Sequence, residues 1–219
     1  MSRGILIAGN ESSLLTALCV EAAKRVENYA VAFIPQANDA AKALPGDKRI
    51  LIDWNPSSPI SAKTLVLSCL NKINSIDDAL LVCAPPAYRI KPEELSAAEV
   101  NQLVDCNIKS WFFLVKELTA AFKKQGKGHL ALIMASEPGH GSKEDNVDLL
   151  GPISVSAFRS FAQGVLISSF NALYDVMGFS QPEPGEENAF AAHVFKTMEE
   201  GKKNSGKWHK YAKFGFLGR

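Results

Sequence analysis

The sequence lacks the features that would place it in several broad functional classes. No sign of charge dominates: 24 Lys and Arg stand against 23 Asp and Glu, a net charge of +1. That balance excludes a strong whole-molecule field for nucleic acid or an anionic membrane. No apolar run nears the roughly 18–20 residues of a membrane span. The opening "MSRGILIAGNE" turns polar too early for a secretory signal peptide. Cysteine is scarce and scattered. Cys19, Cys69, Cys83 and Cys106 fall singly in apolar segments, which excludes a Cys-x-x-Cys redox or metal motif. A reduced, cytoplasmic setting is therefore expected. His129 and His193 have no metal partner by spacing, so no metal is expected. There is no internal repeat, no low-complexity linker and no Gly-x-Ser-x-Gly nucleophile elbow.

What is present is alternation. The 219 residues suffice for one domain with a good core, and a single domain over 1–219 is expected. Continuous apolar runs at 4–9, 29–35, 49–55, 78–86 and 129–136 read as buried strands, with a sixth strand at 174–180. Segments of helical spacing fall between them at 11–26, 58–74, 96–126 and 151–173, with a short helix at most over 38–46 and a last one at 189–201. Lys24 and Arg25 near the end of the first helix suit its dipole. Ser58 and Pro59 open the second, and Gly126 closes the long one. Strands that are apolar throughout, alternating with helices, predict an α/β fold: a doubly wound, mostly parallel sheet with helices on both faces, a Rossmann-like three-layer α/β/α domain. Ligands bind such domains at the carboxyl ends of the strands, near the switch point. The positions to weigh are therefore 9–14, 53–55, 83–87 and 136–140.

The order of signals at those positions resembles the short-chain dehydrogenase/reductase family over roughly residues 4–180. The family's glycine-rich first turn corresponds to "AGNESSLL" (8–15): Gly9 matches the first glycine, and Ser13 and Leu15 stand where the other two would be. Asp53 in "LIDWN" matches the family's adenine-contacting Asp. "VCAP" (82–85) keeps only Ala84 of the Asn-Asn-Ala-Gly signature. Asn107 matches the active-site Asn of the long helix, and Ser136 the catalytic Ser after the fifth strand. The Tyr-x-x-x-Lys helix corresponds to "ISVSA" (153–157). Its serines, Ser154 and Ser156, align, while Ile153 and Ala157 occupy the Tyr and Lys positions.

The resemblance implies a cofactor, NAD or NADP, held by Gly9, Ser12, Ser13, Leu14, Asp53, Trp54 and Ala84, with Ser136 and Asn107 as the remaining catalytic residues. The site is weakened. Phosphates need backbone N–H groups at a helix N-terminus and room to approach them, and Leu15 adds bulk where glycine allows close helix–strand packing. The segment after the second strand, "FIPQAND", has neither an acid at the strand end for a ribose diol nor an Arg for a 2′-phosphate. "AGNESS" also reads as an ordinary N-capped turn with Asn10 or Ser12 as cap. Trp54 either covers an adenine ring or packs in its loop. General acid/base chemistry needs an ionisable group within hydrogen-bond reach, and isoleucine and alanine carry none. A Ser136–His140–Asp145 set reads better as a solvated polar loop, and Arg159 falls on another helix face.

Three functions are consistent with these residues. The first is an atypical or inactive short-chain dehydrogenase/reductase-like protein that binds a dinucleotide or small ligand. The second is an active NAD(P)-dependent oxidoreductase whose displaced proton donor would come from the longer loop at 137–150. The third is an interaction module using the basic tail 201–219, whose Lys202, Lys203, Lys207, Lys210, Lys213 and Arg219 alternate with aromatics. The tail reads more simply as an edge strand with outward lysines, so nucleic acid is not expected. Helices 96–126 and 151–173 carry more apolar surface than one sheet face needs. A homodimer or homotetramer through them is expected, and no membrane partner.

Overall fold

The computed structural model describes residues 3–34, 48–87, 90–135, 148, 150–181 and 184–211. Seven strands form one sheet: β1 (Ile5–Asn10), β2 (Tyr29–Ile34), β3 (Arg49–Leu51), β4 (Asp78–Cys83), β5 (His129–Met134), β6 (Asp175–Ser180) and β7 (Lys207–Lys210). Their order is β3-β2-β1-β4-β5-β6-β7, and every pairing is parallel. The order reverses between β1 and β4, which opens a crevice at their carboxyl ends.

Among the described residues, six α-helices pack around the sheet: α1 (Ser13–Ala23), α2 (Pro59–Ile73), α3 (Ala97–Val104), α4 (Ser110–Gln125), α5 (Leu150–Ser168) and α6 (Glu187–Glu199). Alternate residues of each strand point to opposite faces, and both faces are dry. Leu6, Ala8, Leu130 and Leu132 join a core with Leu65 of α2, Trp111 and Leu114 of α4, and Phe158 of α5. Ile5, Ile7, Ala131 and Ile133 join a second core with Leu14 and Leu15 of α1 and Phe190 and Val194 of α6. Two apolar faces explain why the strands read as unbroken apolar runs.

Local sequence sets the helix ends. Ser12, Ser58 and Ser96 each accept a backbone N–H two or three residues into α1, α2 and α3. Ser96 and Glu99 complete a reciprocal capping box. Gly126 ends α4 in the left-handed conformation at φ 72°. Lys24 and Arg25 do more than face the end of α1: both pair with Glu21 one turn earlier, and Arg25 reaches Glu199 of α6 at 2.9 Å.

Several expected boundaries move. The strand expected at 49–55 stops at Leu51, because Asn55 turns the chain by accepting the Ser57 N–H at 3.1 Å. The long helix expected over 96–126 is α3 and α4 joined by one widened π-type turn at Asp105–Lys109. The helix expected to 173 ends at Ser168, where the Ser168 and Ser169 hydroxyls both donate to the Val165 carbonyl. The helix considered at 38–46 lies outside the described residues. The tail contributes β7, parallel to β6, with Lys207 and Lys210 exposed as an edge strand requires. Gly178 makes room for it: a Cβ there would stand 2.3 Å from the Trp208 ring.

Candidate functional site

The crevice is held together by a residue that sequence reading considered only as a helix cap. Asn10, the last residue of β1, is fully buried. Its Nδ2 donates to Asn107 Oδ1 at 3.0 Å, and its Oδ1 accepts the Ala84 N–H, also at 3.0 Å. One amide thus joins the ends of β1 and β4 to the widened turn between α3 and α4. Asn107 sits inside that turn, 1% exposed. Gly9 sits one residue earlier, and a Cβ there would meet the Val82 carbonyl oxygen at 2.1 Å. Gly9 therefore serves the close approach of β1 and β4. The signal for Asn10 is a polar residue closing an apolar strand; Ser12 is the true cap, accepting the Leu15 N–H at 3.1 Å.

The positions expected to hold a dinucleotide divide into two groups. Asp53 and Trp54 line a cavity of about 460 Å³ with Phe33, Leu51, Ile52, Asn55 and Ser61. Phe33 is the β2 residue paired with Gly9, so this cavity flanks the first turn. Asp53 is exposed, with its carboxylate open to solvent. Trp54 is buried and packs on Trp111, 6.1 Å between ring centroids, and Trp111 packs edge-on against Phe158 at 5.1 Å. Of the two readings of Trp54, packing is the one its burial supports.

The diphosphate position does not fit. Leu14 and Leu15 both turn into the core beside α6, so Leu15 fills the layer under α1 and does not enter the crevice. Ser12 is committed to its own helix, and the Ser13 hydroxyl donates to Glu187 Oε1 at 3.2 Å. The same oxygen accepts the Gly185 N–H at 3.0 Å. That backbone bond, with the further hydrogen bonds from Glu187's own N–H, Gln181 and Ser13, holds the Glu187 carboxyl below its ordinary range. A carboxylate thus stands against the first residue of α1, where a phosphate would need an unopposed positive helix end.

On α5, Ile153 is 52% exposed and Ala157 half-buried. With Phe161 they form a stripe of residues four apart, and Phe161 meets Phe112 of α4 at 4.4 Å between centroids. The serines between them face opposite surroundings. Ser154 is fully buried and donates back to the Leu150 carbonyl at 3.0 Å, while Ser156 faces solvent. Asp148 starts this helix by accepting the Leu150 and Gly151 N–H groups at 3.2 and 2.9 Å. Arg159 is exposed on another face. Ser136, His140 and Asp145, with the rest of 137–147, lie outside the described residues.

No described tyrosine takes the place of the missing one. Tyr29 and Tyr174 stand at the amino ends of β2 and β6, and Tyr211 packs against Phe190 and His193. Among the described residues, no group of three or more His, Cys, Asp or Glu is arranged to hold a metal ion, and no helix is long and apolar enough to cross a membrane.

No protein-family profile and no curated sequence matches the chain. Solved structures do. A short-chain dehydrogenase/reductase from Serratia marcescens BCRC 10948 superposes with TM-score 0.71 at 14% identity, covering 95% of this chain and 96% of its own. An NADH-dependent reductase, A1-R′, solved in complex with NAD, gives TM-score 0.71 at 14% identity over 95% and 94%. An Escherichia coli str. K-12 chain, an oxidoreductase by name only, gives 0.73 at 11% identity over 99% and 97%. The chain has the short-chain dehydrogenase/reductase fold.

Proposed function

We propose that this chain is a catalytically silent protein of the short-chain dehydrogenase/reductase fold, whose carboxyl-end crevice binds a small ligand. The observation that carries this reading is the pair Ile153 and Ala157. On α5 they occupy the positions that align with the tyrosine and lysine of the fold's enzymes. Neither can donate, accept or tune a proton. Of the ligand classes left open by the sequence, a dinucleotide is disfavoured by the Glu187 carboxylate, and a small ligand with an apolar part suits the Ile153–Ala157 face. The test is turnover of a carbonyl panel with NADH and NADPH by purified protein. No rate above the protein-free control is expected; turnover abolished by Ser136→Ala would sink the reading.

The proposal includes self-association through α4 and α5. Phe112 is 55% exposed beside Phe161, and Ile167, Phe170 and Leu173 extend exposed apolar surface past the end of α5. Sedimentation velocity should find a dimer or tetramer, and a monomer at tens of micromolar would refute this part.

A further inference from the structure

We infer that Glu187 is a resident anion that takes the place of a ligand's diphosphate, so that this crevice excludes NAD and NADP. The inference concerns dinucleotide exclusion and stands whether or not the crevice has another ligand.

Two helix N-termini meet at this carboxylate. Ser13 is the first residue of α1 and bonds it at 3.2 Å. Glu187 is itself the first residue of α6, and Gly185, just before that helix, donates its N–H at 3.0 Å. The positive ends of two helices therefore share one negative charge supplied by the chain. In folds that bind a diphosphate here, the ligand supplies that charge. The described segments 8–18 and 184–190 contribute Glu11, Glu186 and Glu187, with no Lys or Arg. A diphosphate entering this space would meet a fixed carboxylate at hydrogen-bond range from the helix that should welcome it. Like charges at such distances repel strongly even with substantial screening.

The hydroxyl of Ser13 is part of the device. A glycine at 13 would leave the α1 end open to an incoming oxygen, whereas the serine directs a donor at Glu187 and fixes the carboxylate in place. Both partners lie at the surface, so substitution there leaves the two cores intact.

The experiment is fluorescence titration of the wild type, Glu187→Gln and Ser13→Gly with NADH and NADPH. Circular dichroism and the thermal midpoint establish that each variant is folded. Glu187→Gln keeps the shape and an acceptor for Ser13 while removing the charge. The wild type is expected to show no saturation up to about 1 mM. Glu187→Gln is expected to bind at least about tenfold more tightly, with Ser13→Gly shifted in the same direction. Saturation of the wild type at micromolar NADH or NADPH would overturn the inference. So would a folded Glu187→Gln that binds no better than wild type, since some other feature would then exclude the dinucleotide. A variant that gains binding without turnover supports both this inference and the proposed function. Gain of binding with carbonyl turnover would retain the first and sink the second.

Discussion

Replacing Asn10 by alanine should destabilise the protein more than its modest volume suggests. The side chain is fully buried and makes two hydrogen bonds at 3.0 Å, to Ala84 N–H and Asn107 Oδ1. Asn10→Ala strands both partners. A buried polar group left without a partner costs about 1–3 kcal/mol. Ala84 is half-buried, so water recovers part of its bond, whereas Asn107 is enclosed. The expected loss is about 2–4 kcal/mol. Trp54 and Trp111 are buried around the core beside this turn and report unfolding by fluorescence in urea. Asn107→Ala should cost a comparable amount. The double variant should fall short of the sum by about 1 kcal/mol, because the second substitution removes a partner already stranded by the first. A loss below about 0.5 kcal/mol for Asn10→Ala, or strict additivity in the cycle, would refute the view that this amide holds the crevice together.

Other consequences are as direct. Gly9→Ala should cost at least about 2 kcal/mol or prevent folding, since its Cβ would lie 2.1 Å from the Val82 oxygen; denaturation midpoints decide it. At the amino end of the sheet, the Asp78 hydrogen bond at 2.9 Å raises the His129 pKa above its ordinary value. A group whose pKa is higher folded than unfolded stabilises most below the unfolded value of about 6.5, and its contribution fades as pH rises through the folded one. The stability advantage of wild type over His129→Gln should therefore shrink from acid to alkaline pH, and a gap that widens would refute the assignment. Burial lifts the Cys19 and Cys69 thiols to about 12 and pushes Cys83 up as well, while Cys106 is half-buried and raised by burial and Asp105. At neutral pH a thiol reagent should consume at most one thiol, slowly, in native protein and all four after unfolding. Phe112→Ser should weaken self-association without lowering the thermal midpoint of the monomer, as read by sedimentation and calorimetry.

The layered fold was legible because its cause is local and repeated. Strands such as "ILIAGN" and "HLALIM" are apolar on both faces, and only a sheet covered on both sides accepts them. Boundaries were harder where two local preferences compete. Trp54 reads as the continuation of a strand, yet the Asn55 turn across Pro56 follows a strand that ends at Leu51, and the indole lies in the core. The widened turn at Asp105–Lys109 leaves no mark on helical periodicity. It becomes visible only when Asn107 is found facing Asn10 from across the chain.

The site divides along the same line. Positions defined by what they lack, Ile153 and Ala157, were legible one residue at a time, because losing an ionisable group needs no geometry to interpret. Positions defined by a partner were not. Asn10 acquires its role from Ala84 and Asn107, 74 and 97 residues away, and Ser13 acquires its role from Glu187, 174 residues away. Leu15 illustrates the same limit. In sequence it stands where a glycine would be and reads as an obstruction, yet its side chain turns into the core and leaves the crevice to Ser13 and Glu187. On the inference drawn above, what would keep a diphosphate out of this crevice is then a matter of charge more than bulk. A single neutral replacement at 187 tests that difference, because it changes charge while leaving Leu15 and the packing of α1 untouched.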